Sequence, residues 1–215
     1  MLPCSRLTLL LPFDPRGIRV LNLLFHSSIT LDYLAMDGER QSKEFVDRKS
    51  GSKYGGGDIS HRILPHLLRL YESRATAQDF EIYAPNATFE DPLMCAHGVE
   101  QIKSAFYSVS KVFSESRIVE YTVQENTTGP GKAEILIDNK QHYKIFGRDI
   151  DMVSLIRLKV EEGKVIRHED WWDGNPLKNR DTVNLPLIGR LAEVTRRGSM
   201  LITHALMGFG KDPSP

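Results

Sequence analysis

"DMVSLIRLKVEEGKVIRHEDWW", residues 151–172, reads as two strands joined by a turn at Glu161-Glu162-Gly163. Side chains on a strand alternate between faces, so Ile156, Leu158 and Val160 share one face of the first strand. On the second strand Ile166, His168, Asp170 and Trp172 share a face, and Val165, Arg167, Glu169 and Trp171 share the other. A register that pairs Arg157, Lys159, Arg167 and Glu169 as cross-strand charges on the outside sends Ile166, His168, Asp170 and Trp172 inward. A histidine and an aspartate two residues apart are then expected on an otherwise apolar face.

That placement has chemical content. Burial disfavours an ionised carboxylate, so an aspartate on an apolar face binds its proton more tightly and becomes a usable acid or base near neutral pH. The two groups could equally do no more than satisfy one another at a strand end, since perturbed carboxylates also occur in purely structural networks. A metal held by His168 with Asp170 or Asp173 lacks a third ligand at diagnostic spacing, so neither a metal nor another cofactor is expected.

Working outward, Leu64, Leu67, Leu68 and Tyr71 fall at helical spacing, with Pro65 expected in a first turn. Thr76 and Asp79 form a capping pair for a short helix that Pro85 is expected to stop. "ATFEDP" is a brief strand. "HGVEQIKSAFYSVSKVF" is an amphipathic helix with Val99, Ile102, Phe106, Val109 and Phe113 on one side. Val119, Tyr121 and Val123 alternate along the next strand. Tyr143 shares a strand face with Ile135, Ile137, Asn139 and Gln141, which leaves His142 outside. Helices first and a run of antiparallel strands afterwards make the class α+β, with helices over a strongly curved sheet and a pocket between the layers.

The chain has 215 residues, 28 basic and 28 acidic, so nothing electrostatic argues for nucleic acid. Cys4 and Cys95 are its only cysteines, too few for a disulfide framework, and a reducing, cytoplasmic setting is the simpler expectation. Residues 1–57 read as an extension ending in the linker "SGSKYGGGD", residues 58–178 as the folded domain and 179–215 as a helical extension. Residues 1–35 are basic and acid-poor, which leaves an organellar transit peptide as the alternative.

"EIYAPNATFEDPLMCAHGVEQIKSAF" followed by "GKVIRHEDWWD" resembles the SnoaL-like branch of the nuclear transport factor 2-like (NTF2-like) superfamily. The shared features are opening helices, a strand ending in an acidic-Pro pair (Glu90-Asp91-Pro92) and a Gly before a helix carrying Ile102 and Phe106. A last strand after a Gly-Lys turn then bears His168 and Asp170. The resemblance implies a cone-shaped α+β fold, often a homodimer through the open sheet. In polyketide cyclases of this group a last-strand aspartate, here matched by Asp170, is the acid/base and is helped by a histidine. The expected activity is cofactor-free isomerisation, cyclisation or dehydration of a small lipophilic carbonyl or hydroxyl compound. Trp172, Tyr143, Asp91, Phe106 and Ile166 would form the substrate-binding walls. The alternative is a non-catalytic module of the same fold that binds a small ligand or a protein, because fold does not fix function.

The last helix lies beyond this unit. Leu187, Leu191, Val194, Leu201 and Ala205 form an apolar stripe, with Arg190, Arg196 and Arg197 largely off it. The stripe is expected to cover the domain, or else residues 186–207 dock on a membrane surface or a partner.

Overall fold

The computed structural model describes residues 54–55, 57–177 and 186–213. The leader reading for residues 1–35 and the polar stretch 178–185 lie outside the described residues. The described elements, in chain order, are β1 (Tyr54–Gly55), α1 (Asp58–Tyr71), a 3-10 helix (Ala77–Ile82), β2 (Tyr83–Glu90), β3 (Cys95–His97) and α2 (Val99–Val112). Four longer strands follow, β4 (Glu115–Gly129), β5 (Lys132–Ile145), β6 (Arg148–Glu161) and β7 (Lys164–Trp172), and then α3 (Pro186–Leu206). The strands form one sheet in the order β1-β4-β5-β6-β7-β2-β3. β4 to β7 form an antiparallel meander, and β2 joins it in parallel beside β7. Composition places Tyr54 and Gly55 in a linker; here they pair in parallel with Val123 and Gln124 of β4.

The core lies between the inner face of the sheet and α1 and α2. Ile135 and Ile137 of β5, Ile156, Leu158 and Val160 of β6, Leu67 and Leu70 of α1 and Ile102 of α2 are almost wholly buried. The period-two reading of β6 and β5 is therefore correct, and His142 lies on the other side, hydrogen-bonded to Asp151 at 2.8 Å. The Thr76–Asp79 capping box is formed.

Four local expectations fail for identifiable reasons. Helix α1 begins at Asp58, so Pro65 sits inside it rather than in its first turn. A proline inside a helix costs about 3 kcal/mol, and burial of Ile63, Leu64, Leu67 and Leu70 around it outweighs that. The 3-10 helix ends at Ile82, and Pro85 lies within β2. It falls where the β2–β7 register shifts between Tyr83 and Thr88, a place where the missing N–H is tolerated. Ile166 is the extra residue of a bulge: Val160 pairs with Val165 and Lys159 with Arg167. Val165 therefore takes the core position, while Ile166 stays half-exposed and outside the core cluster. Val119 is likewise a bulge residue, between the Ile118–Gln141 and Glu120–Lys140 pairs, and is exposed.

Helix α3 packs on α2 and β3, and it does so with the side opposite to the one expected. Leu191 and Val194 are each 67% exposed, and Leu201, Ile202 and Leu206 also face solvent. Arg196, Met200 and Thr203 are buried instead. Polar bonds dock the helix. Arg197 donates to the Cys95 carbonyl at 2.9 Å, Ser104 and His204 Nδ1 meet at 2.8 Å, and Lys103 binds Asp212 at 3.0 Å.

Gly210 closes the docked tail. Its φ of +76° suits glycine, and a Cβ there would lie 2.3 Å from the Glu100 carbonyl oxygen. Gly210→Ala is expected to destabilise the docked tail by roughly 1–3 kcal/mol. Hydrogen exchange should then accelerate at residues 200–212 while β5 and β6 stay protected.

Candidate active site

β7 brings His168 and Asp170 to the inner face opposite Leu158 and Ile156 of β6. His168 is 0% and Asp170 3% exposed. The Tyr71 hydroxyl, at the end of α1, donates to Asp170 Oδ2 at 3.0 Å and lies 3.1 Å from His168 Nε2. On the other side of the imidazole the Tyr83 hydroxyl, at the start of β2, lies 2.8 Å from Nδ1. Ser154 donates to Asp170 Oδ1, and Gln141 Nε2 is 3.5 Å from Oδ2. Tyr143 donates to Gln141 Oε1 at 2.5 Å. Phe106 and Phe89 pack on the imidazole with ring centroids 5.9 and 4.9 Å away.

This arrangement fixes the histidine tautomer while Asp170 is ionised. The single Tyr71 proton goes to the carboxylate, so the Tyr71 oxygen accepts from Nε2–H. The bare Nδ1 then accepts from Tyr83. Burial holds His168 down to about 3, so it is a neutral imidazole at physiological pH. Burial raises Asp170, and the bonds from Ser154, Tyr71 and Gln141 hold back part of that rise. The Trp172 indole N–H adds a smaller lowering, although it is buried with no partner at hydrogen-bond geometry. Both Tyr71 and Tyr83 are raised, chiefly by burial, and remain protonated donors.

Asp91 belongs to the same group. Phe89 pairs with His168 and Glu90 with Glu169 across the parallel β2–β7 ladder. Alternation therefore puts Asp91, just beyond β2, on the same side as Asp170, and Glu90 with Glu169 on the outside. Asp91 Oδ1 accepts from the N–H groups of Leu93 (2.8 Å) and Met94 (2.5 Å). Burial first, then the Asp170 charge, pushes Asp91 up to about 7, against lowering by those two amides and by Arg196. On the outside Arg167 binds Glu169 at 2.6 Å and Glu90 at 3.4 Å, and Arg157 binds Glu134 at 2.7 Å and stands 4.5 Å from the Trp171 ring.

Of the residues singled out in the sequence, the structure gathers Asp170, His168, Asp91, Tyr143, Phe106 and Trp172. Ile166 is displaced by its bulge. Sequence reasoning missed Tyr71 and Tyr83 as hydrogen-bond partners, and Gln141 and Ser154 as donors to the carboxylate. A signal existed for Tyr71: a tyrosine on the apolar stripe of a helix must find a partner for its hydroxyl. Among the described residues no three His, Cys, Asp or Glu side chains gather as a metal site. No described helix is long and apolar enough to cross a membrane.

The order of elements, helices first and then a mostly antiparallel sheet with β2 in parallel beside the last strand, is the one the sequence resemblance implies. Similar solved structures include an NTF2-like protein of unknown function from Burkholderia pseudomallei, 14% identical, with a TM-score of 0.45 over 54% of this chain and 92% of that one. An NTF2-like protein from Anabaena variabilis is 13% identical, with a TM-score of 0.44 over 53% and 86%. A protein assigned as a scytalone dehydratase from Novosphingobium aromaticivorans is 11% identical, with a TM-score of 0.46 over 53% and 81%. No family model matches the chain, and no curated protein matches it.

Asp91 and His168 oppose one another in their effect on stability. Asp91 has a folded pKa above its unfolded value, so stability falls as pH rises between about 4 and about 7. His168 has a folded pKa below its unfolded value, so its contribution rises between about 3 and 6.5. Asp91→Asn removes the Asp91 share of the fall and leaves the His168 rise and the share of the raised Asp170 in place. The stability of that variant relative to the parent is therefore expected to climb from pH 4 to pH 7, by at most about 1.4 kcal/mol per pH unit. Urea melts at a series of pH values measure this; a difference independent of pH would contradict the assignment.

Proposed function

We propose that the chain is a cofactor-free acid/base enzyme acting on a small lipophilic carbonyl or hydroxyl compound, by isomerisation, cyclisation or dehydration. The observation that carries this reading is Asp170, a raised carboxyl held by Tyr71, Ser154 and Gln141 beside a neutral imidazole. As a carboxylate, Asp170 removes a proton from the substrate and returns it at a second position or to a leaving hydroxyl. Tyr71 and Ser154 steady its charge, and His168 orients Tyr71 without becoming an imidazolium. Trp172, Phe106 and Tyr143 would bound the substrate.

The approach is from a groove of about 510 Å³ lined by Tyr83, Pro85, His97, Gln101 and His204. Tyr83 serves both the groove and His168, so movement of its ring would open a way inward. The outer face of the sheet, with its Arg157, Arg167 and Glu169 ladder, would pair two copies. The same fold used as a binding module would keep the ligand and lose the chemistry.

Native mass spectrometry of the purified protein should find a co-purified lipophilic molecule, and turnover can then be assayed with it and its analogues. Asp170→Asn should lower that turnover by a factor of about 10² to 10⁴, the usual contribution of a general acid/base, while ligand binding and the fold persist. Retained turnover in that variant would remove Asp170 from the mechanism. Ligand binding with no turnover in the parent protein would establish the binding module instead.

A further inference from the structure

Helix α3 lies outside the stretch that carries the sequence resemblance, yet it sends one residue to the edge of the carboxyl pair. Arg196 is 5% exposed. Its Nη1 donates to Glu90 Oε2 at 3.1 Å and to the Asp91 carbonyl oxygen at 3.3 Å. It thus grips Glu90, the last residue of β2, and Asp91 just beyond it. Those residues stand alongside Glu169 and Asp170 of β7, so "FED" at 89–91 and "HED" at 168–170 run in parallel with acid beside acid. The outer acids, Glu90 and Glu169, have Arg167 between them. The inner acids have no arginine of the sheet beside them in these bonds, and the cation at Asp91 comes from α3.

We propose that Arg196 is a positioning residue of the Asp91–Asp170 pair, clamping the end of β2 beside β7 and keeping the ionised form of Asp91 accessible next to Asp170. The C-terminal helix is then part of the acid/base apparatus rather than a cover. The role in catalysis rests on the function proposed above; the electrostatic role does not. The charges acting on Asp91 are Asp170 from β7, which raises it, and Arg196 from α3, which lowers it; Asp91 in turn acts on Tyr143 of β5 and Cys95 of β3, and Glu90 beside it takes the Arg196 guanidinium. Arg196 is the cation among them. With it in place Asp91, pushed up to about 7, exchanges its proton near neutral pH beside the raised carboxyl of Asp170.

The neighbouring Arg197 supplies the control. It docks the same helix through the Cys95 carbonyl and Gln101 Oε1. Carboxyl-carbon NMR titration of the full chain can follow Asp91 and Asp170 separately. Arg196→Met should move the Asp91 midpoint from about 7 upward by roughly one unit. Arg197→Met should leave it in place, and Arg196→Lys should hold it within about half a unit of the parent. An unmoved midpoint in Arg196→Met, or an equal movement in Arg197→Met, overturns the proposal. If Arg196→Met does not fold, the lysine variant decides: a full-unit rise there means the charge is not the determinant. Asp170, read in the same spectra, reports on the proposed function independently, because an ordinary Asp170 midpoint would sink that reading and leave the Arg196 result standing.

Discussion

The parallel pairing of β2 with β7 is the constraint on which the rest of the site depends. The ladder ends with Glu90 beside Glu169, and alternation continued one residue past β2 turns Asp91 to the face of Asp170 and leaves both glutamates on the other. The outer pair meets arginines, and ion pairing makes two negative charges tolerable there. The inner pair meets aromatic rings and hydroxyls. One strand pairing thereby creates a neutralised outer ladder and a crowded inner carboxyl pair, and everything around the inner pair manages that crowding.

Management takes two forms. Asp170 receives hydroxyl and amide donors from three different elements, α1, β5 and β6, which stabilise its charge without adding a cation. His168 cannot serve as a counter-charge because burial keeps it neutral, so its role is to hold Tyr71 and Tyr83 at fixed distances through its two nitrogens. Asp91 takes the other course, with two backbone amides and an arginine from outside the sheet. The two aspartates therefore differ in their partners as well as in depth, Asp170 being buried within β7 and Asp91 only partly buried just beyond β2.

The sheet and the inner placement of His168 and Asp170 were legible because strand alternation is local and has a rigid period. The face of β5 that carries Gln141 and Tyr143 was legible for the same reason. The bulges at Val119 and Ile166 were not: an inserted residue leaves the apolar pattern nearly intact while shifting which residue points inward. Tyr71 and Tyr83 were missed as a pair because they lie 97 and 85 residues from His168, and only the packing of α1 and β2 over β7 joins them. The C-terminal helix misled for a third reason. Amphipathic reading assumes that the apolar stripe faces the protein, and here backbone carbonyls and acids at the end of β2 and in β3 favour the arginine side.

That inversion changes which positions of the helix are free to vary. On an ordinary surface helix, exchanging a charged residue is nearly silent and exchanging a leucine is costly. On α3 the order is reversed: Leu191, Val194 and Leu201 touch little that the fold needs, whereas Arg196, Met200 and Thr203 are enclosed. The leucine positions are where this protein could accept a label, a charge or a crosslinker with the least disturbance, and the arginines are the residues an engineer should leave alone.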